Sequence, residues 1–241
     1  MARDDGAGGV ALVTGAAGGI GSAVVSGLRG AGFSVAGHDL RPSSGADLSL
    51  EGDLLVGDPR DVVRDAEAAL GGLDVLVHCA GGGPGSDILE TTDAQWRAIV
   101  DLNMNVAFPL CQQAARGMVE RGGGSLILIG SLCGRLAWRG YAHYCAAKAG
   151  LEMLGRAFAA ELGGRGVRCS TIVPGTIDTP LNDDVGMAAD EQRRLLARIP
   201  AGRTGRPEEV AELAVWLATA PGFVNGASFT IDGGYSIEGT P

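Results

Sequence analysis

The sequence predicts an α/β fold, a doubly wound parallel sheet of about seven strands with helices on both faces, and three observations carry that expectation. Short β-branched apolar runs recur along the 241 residues without polar alternation, as strands covered on both faces do. Longer helical patterns separate them, which is the rhythm of a parallel sheet. A glycine-rich turn joins the first apolar run directly to the first helical pattern, so the opening unit reads strand–turn–helix.

Taken in order, the strand candidates are Val10–Thr14, Phe33–His38, Asp53–Val56, Leu73–His78, Ser125–Gly130, Val167–Val173 and Ala227–Ile231. Helices are expected over 19–30, 60–70, 92–119, 144–162 and 207–219. Pro109 removes a backbone N–H inside the third of these and predicts a kink there. Between Asp39 and Gly52 the chain holds Pro42, Ser43, Ser44 and Gly45, so this crossover is expected to lack a full helix. Residues 180–200 fit neither period. They fall at the carboxyl end of the sheet, and a substrate lid is the preferred reading over a surface helical insertion. No linker or repeat divides the chain, which reads as one domain over 1–241.

Composition narrows the function classes. Glycine supplies 41 residues without a fixed period, well above the roughly 7% usual share, which implies many tight turns rather than a fibrous repeat. The formal charge of −9 and the lack of a basic run argue against nucleic acid. No stretch approaches the ~18 apolar residues of a membrane span, and the start lacks a signal-peptide core. Five cysteines without CxxC spacing suggest free thiols, so the chain reads as cytoplasmic. Three isolated histidines give no metal site.

Two places carry chemistry. In TGAAGGIG (Thr14–Gly21) the glycines at 15, 19 and 21 allow a tight turn and close approach to a pyrophosphate resting on the helix N-terminus. Asp39 ends the second strand about twenty residues later, where a carboxylate accepts both ribose hydroxyls and repels a 2′-phosphate. NAD is therefore favoured, and Arg41 leaves NADP open. Asp58 is placed to meet the adenine edge. At the other end of the chemistry lies Lys148, the single lysine among 19 basic residues, four positions after Tyr144. A helical spacing of four puts both side chains on one face, and a phenol beside a fixed ammonium is a plausible proton donor and acceptor.

Ser131 in ILIGSLCG, Tyr144 and Lys148 in YCAAK, TGAAGGIG, Asn103 in DLNMNVAF and Pro174-Gly175 together resemble the short-chain dehydrogenase/reductase family, from about Val10 to Tyr235. The resemblance implies a Rossmann-like fold and hydride transfer between a nicotinamide cofactor and a secondary alcohol or ketone. It makes Tyr144 the general acid/base, with a pKa lowered by Lys148, and gives Ser131 the substrate oxygen. Asn103 would position a water linking Lys148 to solvent. The cofactor contacts it implies are Gly15, Gly18, Gly19, Ile20, Gly21, Asp39, Leu40, Asp58, Pro59, Ala80, Gly81, Tyr144, Lys148, Pro174, Gly175, Ile177 and Thr179. A homotetramer, or a homodimer, is the implied assembly, and the unusually apolar 144–162 helix agrees with a second buried face.

The chain departs from the family after the fourth strand, where His78-Cys79-Ala80-Gly81 replaces the usual NNAG. Here the Ala-Gly backbone is expected to pass the cofactor while His78 and Cys79 repack inside. Cys133, Trp138, His143, Leu181 and Met187 are candidate pocket residues, with the substrate otherwise unspecified. Two other classes stay open: a non-catalytic dinucleotide sensor, and a cofactor-retaining lyase or epimerase.

Overall fold

The structure is a computed structural model, and it describes residues 8–180 and 189–237. Seven strands form one parallel sheet: β1 Val10–Thr14, β2 Ser34–Asp39, β3 Leu48–Glu51, β4 Val75–His78, β5 Gly124–Ile129, β6 Val167–Pro174 and β7 Ser228–Ile231. Their order is β3-β2-β1-β4-β5-β6-β7, so the chain leaves β1 toward one edge and returns to its other side at β4. That reversal opens a crevice at the carboxyl ends of β1 and β4, where sheets of this kind bind ligands.

Among the described residues the α-helices are α1 Gly19–Gly30, α2 Arg60–Leu70, α3 Asp93–Val100, α4 Ala107–Glu120, α5 Ala142–Leu162, α6 Ala189–Ala197 and α7 Pro207–Thr219. α1 and α7 cover one face, where Val24, Leu28, Val210 and Leu217 meet Ala11, Val13, Val75 and Val77. α2, α4 and α5 cover the other, where Val63, Leu110, Met118 and Leu151 meet Leu12, Leu76, Leu126 and Leu128. Alternate residues of β1 and β4 thus feed opposite cores, as the period of two requires. The central strands are buried throughout, so their sequences show no alternation.

Three elements differ from expectation. The third strand is Leu48–Glu51, pairing with Ala36–Asp39, and not Asp53–Val56. As the sheet edge it shows alternating half-buried and exposed residues, whereas Leu55 and Val56 lie exposed in the following loop. The 92–119 helix is three pieces: a π turn at Asp101–Asn105 separates α3 from α4. Val106 N donates to Asp101 O across five residues, and Pro109 downstream cannot donate to the Asn105 carbonyl. In the 180–200 segment the described residues are Pro180 and 189–200, of which Ala189–Ala197 form α6, and the connection from β2 to β3 lacks a helix as expected.

Candidate active site

The turn after β1 is built so tightly that side chains are excluded. Gly15 has φ +68°, and a Cβ there would lie 2.7 Å from Ala80 N. A Cβ on Gly21 would lie 2.0 Å from Gly15 O, and one on Gly19 would lie 2.6 Å from Thr179 Cγ2. α1 opens at Gly18 with no side-chain cap and no acidic residue in its first turn. Its N–H groups and the positive end of its dipole are therefore available to an anion. Beside it, Asp39 Oδ2 accepts from Ala17 N at 3.0 Å and Oδ1 from Arg41 N at 3.2 Å, while the Arg41 guanidinium donates to Ala17 O. These features fit the phosphate and ribose end of a dinucleotide. Leu40 is 70% exposed, and Pro59 is the N-cap of α2. The Asp58 carboxylate is held by the backbone N–H and guanidinium of Arg60 and by Arg64, and these interactions keep it below the usual carboxylate range.

At the end of β5 the chain turns sharply. Ser131 caps the short turn Leu132–Gly134, its Oγ accepting from Cys133 N at 3.1 Å. A Cβ on Gly134 would lie 2.9 Å from the backbone of Lys148 and Ala149, so glycine lets this turn press on the start of α5. That contact brings Ser131 to Tyr144. Arg135 forks onto Glu152 with bonds of 3.0 and 2.9 Å and reaches Thr230 Oγ1 at 2.8 Å, which ties the turn to α5 and β7. Lys148 is 3% exposed and donates to Ile129 O at 2.9 Å. Its Nζ lies 5.5 Å from the Tyr144 ring centroid.

Burial governs the titration of this group of residues. It lowers Lys148 to about 8, with Cys79 and Cys133 acting the other way. It raises the Tyr144 phenol well above its ordinary value, Cys133 adds to that rise, and a hydrogen bond with Ser131 opposes it. The expectation that Lys148 pulls the phenol down is therefore corrected: burial dominates and holds the phenol up. Asn103 holds the loop after β4. It is fully buried, accepts from Gly82 N at 2.8 Å, and donates to Gly82 O at 2.8 Å and Ile99 O at 2.9 Å. Its amide clamps the loop after β4, and the π turn aims it there.

His78 is a core residue. Its Nδ1 pairs with Thr14 Oγ1 at 2.8 Å, and burial, helped by Lys148, lowers it to about 3. Cys79 packs, half-buried, against the core on the α1 side as expected, and it also reaches the cavity wall.

One cavity of about 270 Å³ gathers Ile20, Gly81, Ser131, Tyr144, Lys148, Pro174, Gly175, Ile177 and Thr179 from the expected set. Cys133 and Trp138 line it as expected, whereas His143 is buried elsewhere and Leu181 and Met187 lie outside the described residues. Tyr141, Leu195 and Tyr235 also line it and escaped the sequence reading. Position alone could have marked Tyr235, which follows β7 at the carboxyl end where the other site residues cluster.

Comparisons with known proteins agree with this geometry. A family model described as enoyl-(acyl carrier protein) reductase matches residues 15–236. D-threitol dehydrogenase of Mycolicibacterium smegmatis is 36% identical over 95% of this chain and 93% of its own length. Cis-4-hydroxycyclohexanecarboxylate dehydrogenase of Sinomonas cyclohexanicum is 36% identical over 94% and 96%. The solved structure of a short-chain type dehydrogenase/reductase from Mycobacterium ulcerans superposes with a TM-score of 0.90 at 32% identity, covering 96% of this chain and 90% of that one. With the sheet order, the glycine turn and the Ser131–Tyr144–Lys148 cavity all in place, the chain belongs to the short-chain dehydrogenase/reductase family and is an NAD(P)-dependent oxidoreductase.

Proposed function

We propose that Tyr144, Lys148 and Ser131 carry out the proton chemistry of a reversible secondary alcohol–ketone interconversion, with NAD(H) preferred. A bound nicotinamide supplies or accepts the hydride; the chain handles the proton. The observation that carries this reading is the shared cavity wall, in which the serine turn and the first turns of α5 face the Pro174–Thr179 loop.

A phenol raised by burial is protonated at neutral pH, the form that donates to a carbonyl oxygen during reduction. Ser131 holds that oxygen and the charge developing on it. The Lys148 ammonium favours the phenolate once the proton has left, and its depressed pKa lets it exchange a proton near neutrality. Asn103 acts by fixing the Gly81–Gly82 backbone beside Lys148; a Cβ on Gly81 would lie 2.6 Å from Asn103 Oδ1 and 3.1 Å from Lys148 Nζ. Gly15, Gly18, Gly19, Ile20 and Gly21 receive the pyrophosphate, Asp39 the adenosine ribose, and Leu40, Asp58, Pro59 and Ala80 flank the adenine side. Pro174, Gly175, Ile177 and Thr179 border the nicotinamide. The Asp39 carboxylate, 13% exposed and facing the glycine turn, supports NAD over NADP. α6, which contributes Leu195, supports the cover role given to the 180–200 segment. The five free thiols support a reducing compartment.

The test follows nicotinamide absorbance with NADH or NADPH and a panel of ketones. Turnover with NADH should exceed that with NADPH. Tyr144→Phe should cut kcat by ~10²–10⁴ while NADH still binds. Unchanged turnover in Tyr144→Phe would overturn the assignment.

A further inference from the structure

The substrate half of the cavity has an uncommon wall. Lys148, beneath the cofactor end, is its one charged group among the described residues. Among the described residues its outer part is made of Trp138, Tyr141, Leu132, Leu195 and Tyr235. These come from three segments: the loop after β5, helix α6 and the turn after β7. Leu132, Val173, Ile199 and Tyr235 form a small hydrophobic core of their own, against which Trp138 and Leu195 pack.

The aromatic pair is fixed in place. Trp138 and Tyr235 have ring centroids 6.4 Å apart and are tilted by 34°, and Arg198 stacks on Tyr235 with its guanidinium 4.6 Å from the centroid. The backbone beneath Tyr235 is equally constrained. Asp232 accepts from Gly234 N and Ser236 N, while Gly233 and Gly234, both at positive φ, press on Ile199 and Pro200. Tyr141 stands edge-on to Tyr144, with ring centroids 6.4 Å apart, and lines the same cavity.

We propose that this wall selects a ketone or secondary alcohol borne on, or directly beside, a six-membered apolar ring, with Trp138 and Tyr235 receiving the ring. The inference rests on the proposed chemistry of Tyr144 and names its substrate class. Rigid aromatic surfaces reward a flat or puckered ring with burial and stacking. Beyond three polar tips, the hydroxyls of Tyr141 and Tyr235 and the N–H of Trp138, they offer no partners to the many hydroxyls of an open-chain polyol, which would lose hydrogen bonds to water on entry.

The experiment compares initial rates of the full chain with its nicotinamide cofactor on cyclohexanone-type and aryl ketones and on open-chain polyhydroxy ketones and acetoacetyl thioesters. The expected kcat/KM is at least ~10-fold higher for the ring ketones. Tyr235→Ala and, separately, Trp138→Leu should lower the ring-ketone value ~10-fold or more through KM while NADH binding persists. Tyr235→Phe, which keeps the ring, should restore most of that loss. Equal or better turnover of the polyhydroxy or thioester arm overturns the inference while leaving the catalytic assignment standing, as does an equal loss in both arms on Tyr235→Ala. Reduction of neither arm, despite cofactor binding, overturns both.

Discussion

Lys148 sits at a conflict between stability and chemistry. Buried, and titrating near 8 rather than at the ordinary 10.5, it is a cation held where water cannot solvate it. Between those two values the unfolded chain keeps a proton that the folded chain has released. Its contribution therefore makes stability rise with pH across that window, by roughly 3 kcal/mol in full. Activity should run the other way, because the ammonium disappears as pH climbs through 8. Urea melts from pH 7 to 10, paired with kcat/KM profiles, check both signs. Lys148→Met should abolish most activity and flatten the stability slope relative to wild type. Identical slopes in the two proteins would show that the residue titrates normally. The pairing of Lys148 with Tyr144 was legible from the spacing of four alone. The phenol's upward shift was not, since desolvation depends on what encloses a side chain and spacing says nothing about enclosure.

At the scale of elements, the break between α3 and α4 organises the loop behind the cofactor. The π turn widens the backbone at Asp101–Asn105 and presents Asn103 to both polar groups of Gly82. Asn103→Ala would strand Gly82 N–H, Gly82 O and Ile99 O in a dry interior. The expected cost is about 3 kcal/mol, or a fall in Tm of roughly 6–12 °C, with a rise in KM for the cofactor. A thermal melt within a degree or two of wild type would rule out the clamp. Pro109 announced an irregular helix in the sequence, but the position and type of the break depend on which carbonyls the loop after β4 needs, a tertiary demand. The misplaced third strand has a similar cause. LSLE is an edge strand with one wet side and a weak apolar signal, whereas DLLV reads more apolar but has only Leu54 buried. Central strands were read to within a residue or two because burial on both faces leaves its mark on every position.

For the molecule as a whole, the placement of the site follows from the strand order and was legible; of the pocket's outer wall, drawn from three distant segments, Trp138 was legible and Tyr141, Leu195 and Tyr235 were not. The same scale raises the question of assembly. α5 buries Leu151, Gly155 and Ala159 against the sheet, yet Met153, Ala157 and Ala160 on its far side are exposed, next to the Phe108–Phe158 ring pair. A second apolar surface surrounds Trp216, 46% exposed and edge-on to Phe229. Two such faces suit a tetramer of twofold symmetry better than a dimer. Sedimentation at micromolar concentration should give about four times the 24.4 kDa chain mass. Met153→Glu should reduce the assembly to a smaller species, and a wild-type monomer would refute this arrangement. One last consequence belongs to the solitary ammonium. Grown with lysine isotopically enriched at Nζ, the protein would return a single side-chain nitrogen resonance by magnetic resonance. That one line, free of any assignment problem, would report directly on occupancy and protonation at the heart of the enzyme.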